Sequence, residues 1–265
     1  MNIMKNLMIL ITTGFLSVIA VNGHANTFFE SDIHFDKTMT PTQVAIQPQP
    51  MNALDPYENF NRTIYHFNMG FHDLIGEPVT TAYSEYVPSP AQTAFKNFFS
   101  NLTVPLDAIN SLLQGKVEQS LESFMRFTLN STLGLGGLLD IATPAGLPKK
   151  EEDFGQTLSV WGVWNEASFV MVPFLGPRTT RNIVGSIADS SVNPIYENSN
   201  LDDQRNFNVV GSGFVSYVGA APLINELRSQ PDPYIFMRES YLQYRTNMIF
   251  DGQAPQANLD DFNFE

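Results

Sequence analysis

The sequence predicts a mainly α-helical protein organised as one domain. Three observations carry that prediction. Asp55-Pro56, Ser89-Pro90 and Asp232-Pro233 mark helix starts. Apolar residues recur behind these marks at spacings of three and four. Between 55 and 250 there is no internal repeat and no linker-like stretch that would split the body in two.

Taken in order, Asp55-Pro56-Tyr57-Glu58 reads as an N-cap, a proline at N1 and a glutamate at N3. Phe60, Ile64, Phe67, Phe71 and Leu74 then form one apolar face. Ser89-Pro90-Ala91-Gln92 repeats the start signal and is followed by Phe95, Phe98, Phe99 and Leu102. Leu106, Ile109, Leu112 and Leu113 follow Pro105 as a further helix that stops at Gly115, the C′ residue. Val117, Leu121, Phe124, Leu129 and Leu133 predict another, and 178–188, 208–227 and 233–250 predict three more. Two regions break the period. Residues 133–142 (LGLGGLLDIA) are glycine-rich and apolar, and 157–163 (TLSVWGV) favour strand. Together they predict a small hairpin projecting from the helical body.

The first 25 residues read as an export signal: Lys5, a short apolar run over 7–21, then Gly23-His24-Ala25 with small residues at −3 and −1. Residues 26–54 read as a flexible leader with Pro41, Pro48 and Pro50, and 253–265 as an acidic tail. The net charge of −13 opposes binding to nucleic-acid phosphate and to anionic headgroups alike. Membrane contact would therefore rest on apolar burial. There are no cysteines among the 265 residues, which removes disulfides and thiolate chemistry.

A search for catalysis finds little. There is no G-x-S-x-G motif, and Gly134, Gly136 and Gly137 do not complete G-x-G-x-x-G because Leu139 holds the last position. His66 and His72 lie about 240° apart around a helix and cannot share a metal. Lys149-Lys150-Glu151-Glu152-Asp153 reads as a solvated loop tip. The expectation is no enzyme, no metal and no cofactor. From Phe207 to Asn225 no charge occurs, a length sufficient to span a bilayer, but the glycines, serines and Pro222 favour a core helix. Short Phe-rich amphipathic helices suit one membrane leaflet and an ordinary core equally.

Five stretches in order carry a resemblance: DPYENFNRTIYHFN (55–68), FFSNLTVPLDAINSLLQG (98–115), RFTLNSTLGLGGLLDIA (126–142), EDFGQTLSVWGV with VPFLGPRTTR (within 152–181), and DPYIFMRESYLQ (232–243). Their order and spacing resemble the MlaA (VacJ) family of Gram-negative outer-membrane proteins over roughly 55–252. The resemblance implies a helical ring in the inner leaflet of the outer membrane. Its channel would remove mislocalised phospholipid from the outer leaflet and pass it to a periplasmic carrier, maintaining lipid asymmetry. It implies phospholipids, a trimeric outer-membrane porin and a periplasmic lipid-carrier protein as partners. It also gives channel or gating candidates: Asn59, Phe60, Asn61, Arg62, Phe67, Asn68, Gly134, Gly136, Gly137, Gly155, Gln156 and Thr157. Trp161 and Trp164 are candidate interfacial anchors, since an indole favours one wet edge. Family members are commonly lipoproteins, and with no cysteine to acylate the expectation here is an exported protein that is not one. A soluble periplasmic lipid- or peptide-binding protein is the alternative.

Overall fold

The computed structural model describes residues 54–164, 167–193 and 202–253, with side chains of the 202–227 helix described from Phe207 onward. The expected signal, nearly all of the leader and nearly all of the acidic tail lie outside the described residues. Helix α1 (Glu58–Phe71) runs without a break into α2 (Glu77–Tyr86) through a π turn at His72–Gly76. Asp55 does not cap α1, which starts behind Tyr57 with no side-chain cap. Its carboxylate is buried instead, accepting from Asn61 Nδ2 at 2.7 Å and from the Tyr234 hydroxyl.

Helix α3 (Ser89–Leu113) is likewise entered from Pro88 without a side-chain cap, and it continues through Pro105. The proline removes one hydrogen bond, to the Asn101 carbonyl, and does not divide the helix. Gly115, at φ 79°, ends it as the sequence predicts. Helix α4 (Val117–Thr132) folds back antiparallel on α3: Ser120 Oγ donates to the Ala108 carbonyl at 2.7 Å, and Asn101 Nδ2 to Ser131 Oγ at 2.9 Å.

The hairpin lies elsewhere than expected. Residues 157–160 belong to a short helix, α5 (Phe154–Val160), because Asp153 caps it by accepting from the Gln156 N–H at 2.8 Å. Residues 133–139 form turns. Among the described residues the two strands are β1 (Phe169–Val172) and β2 (Gly176–Thr179), antiparallel with Phe169 opposite Thr179 and Val172 opposite Gly176. Helix α6 (Thr180–Val192) follows, capped by Thr179. Then come α7 (Asp202–Leu227) and α8 (Pro233–Ile249), the last capped by Asp232 as its Asp-Pro pair predicts.

What is inside and what is outside is inverted relative to a water-soluble helical protein. An apolar cluster exists, Tyr65, Phe169, Met171, Leu227, Tyr234, Met237 and Tyr241, where β1 meets α1 and α8. In three other helices the buried faces are largely polar. In α3 they include Asn101, Thr103, Asp107, Asn110 and Ser111; in α4, Ser123, Arg126 and Asn130; in α6, Arg181, Asn182, Ser186 and Asp189. The apolar faces point outward: Phe60, Phe67 and Leu74, then Phe95, Ile109 and Leu112, then Val117, Leu121 and Phe124 are all exposed. Helix α7 differs: its buried residues are mainly apolar, Val209, Ala220, Ala221, Ile224 and Leu227, with Ser212. Phe207–Leu227 is long and apolar enough to cross a membrane, and 22% of its most apolar window is buried, less than in a fully enclosed core helix.

Candidate functional site

A cavity of about 340 Å³ opens between α1, the π turn, the β1–β2 turn, α7 and α8. Its wall is apolar: Phe71, Ile75 and Val79 face Phe174, Leu175 and Pro177, with Val210, Phe214, Ala220 and Ile224 of α7 closing the side. Such a volume is at the lower end of the ~300–1,000 Å³ typical of small-ligand sites. The polar exceptions are Asn68, Ser216 and a group centred on the buried His72. Its Nδ1 lies 2.7 Å from the Tyr217 hydroxyl and its Nε2 3.3 Å from Asn225 Oδ1. The π turn creates this arrangement by advancing the helix one residue out of phase. Gly76 completes it, since a Cβ there would lie 1.7 Å from the Tyr217 oxygen. Among the described residues no group of three or more His, Asp or Glu is placed to hold a metal.

Asn61 and Asn68, seven apart on α1, bind the hairpin as a neighbouring strand would. Asn61 donates to the Phe169 carbonyl at 3.2 Å and accepts from the Met171 N–H at 2.8 Å. Asn68 donates to the Val172 carbonyl at 3.0 Å and accepts from the Phe174 N–H at 2.8 Å. Asn68 lines the cavity, and Phe67 stacks edge-on against its wall residue Phe174. Asn59 and Phe60 are exposed. Arg62 reaches Asp232 at 2.9 Å and Glu58 at 2.7 Å and lies over the Tyr234 ring. The Asp232 carboxylate raises the Arg62 guanidinium against the opposing effect of burial, with Glu58 adding to the rise.

The EDFGQT stretch lies away from the cavity, at the centre of the polar interior. The expected solvated tip is here corrected: Glu152 and Asp153 are 1% and 2% exposed. Glu152 is held by Lys116 and Gln119, both at 2.7 Å, and by Gln114 at 2.8 Å. Asp153 receives both amino groups of Arg245, at 2.6 and 3.1 Å, while capping α5. Burial alone would lower the Arg245 guanidinium, but Asp153 outweighs it and holds it raised; Arg178, more weakly compensated, is lowered by burial. Thr157 donates to Asn110, and Asp189 accepts from Asn110 and from the Phe154 N–H. Helix α5 meets α6 backbone to backbone: a Cβ on Gly185 would lie 2.4 Å from the Gly155 nitrogen, and one on Gly155 would lie 2.9 Å from Asp153 Oδ1 and 3.1 Å from the Asn182 Cα.

The C-terminal end of the glycine-rich stretch is pinned to α4. The Asn130 side chain accepts from the Ile141 and Ala142 N–H groups. Arg126 donates to Asp140 at 2.8 Å, to Thr143 at 2.8 Å and to the Leu147 carbonyl at 2.6 Å. Burial pushes the Asp140 carboxyl up, but the Thr143 hydroxyl and Arg126 prevail and hold it at about 2. Leu133, Leu135 and Leu139 nevertheless project outward. Trp161 is half-exposed with its indole N–H donated to the Leu113 carbonyl at 2.9 Å, and the Trp164 carbonyl accepts from Arg181 at 2.6 Å.

Sequence reasoning missed Phe174, His72 and Tyr217 at the cavity, and Asp55 and Arg245 in the interior. The visible signal was polar residues at helical spacing, as in Asn182, Ser186 and Asp189. A helical body that is polar within and apolar without, enclosing an apolar cavity, defines a membrane-seated protein suited to lipid. Comparison with known proteins gives the family. Residues 53–248 match the model of the MlaA lipoprotein family, and the chain belongs to that family. It is 37% identical over 231 residues to the intermembrane phospholipid transport system lipoprotein MlaA of Escherichia coli, covering 80% of this chain and 88% of that one. With the protein of the same name from Haemophilus influenzae it shares 29% over 210 residues, covering 77% and 82%. A solved structure bearing on the structural basis for maintenance of bacterial outer membrane lipid asymmetry superposes with a TM-score of 0.66 at 34% identity, over 74% of this chain and 98% of that one. These relatives correct one expectation. The family and its named members are lipoproteins, so the step from a missing cysteine to a protein that is not a lipoprotein does not stand.

Proposed function

We propose that this chain is the outer-membrane component of an intermembrane phospholipid transport system, taking phospholipid out of the outer leaflet and so maintaining lipid asymmetry. The observation that carries the reading is the inverted body. Phe60, Leu74, Leu112, Leu121 and Phe124 face outward while Arg126, Asp153, Asp189 and Arg245 are sequestered. Burying exposed apolar area in acyl chains gains roughly 25 cal/mol per Å², whereas hydrated it would favour aggregation. The family supports phospholipid as the cargo, and the apolar cavity supports an acyl chain as the part of it that is held.

In this reading no bond is made or broken. The protein lowers a barrier by giving tails an apolar path and headgroups a polar one, and a carrier of higher affinity draws lipid inward. The proposed partners are a trimeric porin that steadies the body in the membrane and a periplasmic lipid carrier. Asn61, Arg62, Gly155, Gln156 and Thr157 are proposed to fix the scaffold, Phe67 and Asn68 to shape the lipid path, and the 133–139 loop to control access to it. Asn59 and Phe60 are proposed to lie on the lipid-facing surface of α1, and Trp161 and Trp164 at the interface. Residues 1–25, 26–54, 55–252 and 253–265 are proposed as signal, leader, lipid-handling domain and tail.

The test is to express the full chain in Gram-negative cells lacking their own MlaA protein. Restored resistance to detergent with EDTA, and protein retained in the outer membrane through a high-salt wash, are expected. Recovery with the soluble periplasm would overturn the reading in favour of a soluble lipid- or peptide-binding protein.

A further inference from the structure

We infer that Asn68 is a positioning residue that holds Phe174 in the cavity wall, and that Phe174 determines which acyl chains the cavity accepts. The inference rests on the cavity being an acyl-chain site. Phe174 is the middle residue of the three-residue turn between β1 and β2, with φ 63°. Bulky side chains rarely adopt this left-handed conformation, and it persists only where the surroundings over-determine it. Two features do so here. One side-chain amide, that of Asn68, grips the turn on both sides of Pro173, accepting from the Phe174 N–H at 2.8 Å and donating to the Val172 carbonyl at 3.0 Å. The Phe174 ring is then set edge-on against Phe67 and Phe71, with centroids 5.1 and 5.0 Å away.

A glycine would take this backbone conformation without strain, and Gly176, two positions on, does so at φ 74°. Backbone economy therefore does not explain the phenylalanine. What the phenylalanine adds is a ring in the wall of the cavity, opposite α7. Asn61 provides the comparison. It makes the same two-sided grip on β1, but on Phe169 and Met171, neither of which has a positive φ. The grip at Asn61 holds a strand, whereas the grip at Asn68 holds a strained aromatic against the cavity. A ring fixed in this way limits width, admitting a straight chain and resisting a bulky one.

The test uses the full chain in detergent micelles and two probes: dipalmitoyl phosphatidylethanolamine, and its analogue with one chain ending in pyrene. Relative affinity is read by competition in native mass spectrometry, and folding by thermal unfolding. The wild type is expected to prefer the palmitoyl lipid, and Phe174→Gly to lose that preference by about ten-fold, the scale on which apolar pockets discriminate by size. Its unfolding temperature should stay near that of the wild type, because relief of the left-handed strain offsets the lost ring contacts with Phe67 and Phe71. Phe174→Leu should lie between the two in preference, and covers the case in which glycine loosens the turn. Asn68→Ala should lose the preference as Phe174→Gly does, and the double variant should lose no more than either, the mark of two residues acting through one. If folded Phe174→Gly and Phe174→Leu keep the wild-type preference, the role of Phe174 is overturned. If Asn68→Ala keeps it while Phe174→Gly loses it, positioning by Asn68 is overturned. A wild type that binds neither lipid would instead overturn the acyl-chain reading of the cavity itself.

Discussion

Substituting the three glycines of the 133–139 loop one at a time should rank them in an order set by backbone geometry. Gly136 has φ 74° and nothing within 4 Å of where a Cβ would stand. Alanine there meets only the left-handed penalty, about 1–2 kcal/mol. Gly137, at φ 96°, would also bring its Cβ to 2.8 Å from the Asn101 side chain, so alanine should cost about 1 kcal/mol more. Gly134 is different in kind. A Cβ there would lie 2.3 Å from the Leu139 carbonyl oxygen and 2.4 Å from that of Asn130, both backbone atoms. The Asn130 carbonyl already accepts from the Gly137 N–H at 2.8 Å, and the Leu139 N–H donates to the Gly134 carbonyl at 2.9 Å. Making room means breaking both, at about 1 kcal/mol each, on top of about 1–3 kcal/mol of overpacking. The total of roughly 3–5 kcal/mol is a large share of the ~5–15 kcal/mol that holds a domain together. Chemical denaturation of the purified variants gives the ranking, and immunoblotting gives the level in cells. Gly134→Ala as stable as wild type, or Gly136→Ala as damaging as Gly134→Ala, would refute the reasoning. The same ranking selects the variant for testing access control: Gly136→Val should fold and reach the membrane yet leave cells sensitive to detergent with EDTA.

Arg245→Met should cost about 3–5 kcal/mol because it strands the buried Asp153 carboxylate, and adding Asp153→Asn should recover part of that loss; denaturation of the single and double variants decides. Asp140 gives a pH test. Its carboxyl is held at about 2, below its ordinary 3.8, so its contribution is complete above pH 4 and is lost as pH falls toward 2. Allowing for solvent screening, that contribution is about 1 kcal/mol, and Arg126→Met should remove part of the corresponding loss of stability between pH 4 and 2, leaving the share held by Thr143. Trp161→Ala should weaken retention of the protein in lipid vesicles during flotation, and unchanged flotation would refute an anchoring role.

Most helices were legible in the sequence, and the reason is local. Asp232-Pro233, Gly115 and the three-and-four spacing each act within a turn or two of chain. The failures were all decided by distant residues. Asp55 looks like a cap but is drawn inside by Asn61 and Tyr234, 179 positions away in the latter case. Residues 157–160 are strand-like one by one, yet Asp153 caps them into a helix whose first turn Asp189 also holds. The acidic run at 151–153 looks solvated until Lys116, Gln119 and Arg245 are brought around it. At the candidate site, the sequence marked Asn61 and Asn68 but not what they grip. The hairpin backbone they bind lies more than 100 residues away.

The largest ambiguity was which face of each helix turns inward, and hydrophobic periodicity cannot resolve it. An amphipathic pattern shows that two faces differ; it is unchanged when inside and outside are exchanged. Composition breaks the symmetry. Only 15% of the residues are charged, against about 25% in ordinary soluble domains, while 43% are hydrophobic. The polar stripes are also of the wrong kind for a wet surface. Ser123, Arg126 and Asn130, or Asn182, Ser186 and Asp189, are short or forked hydrogen-bonding groups rather than rows of lysine and glutamate. Side chains of that kind can satisfy one another in a dry interior, as Asn110 and Asp189 do at 2.9 Å. Lysine and glutamate, with long flexible stems, are better at holding water. A chain with too little charge to cover its surface, and with its polar residues suited to pairing, folds its polarity inward and leaves Phe60, Leu121 and Phe124 exposed on the outside.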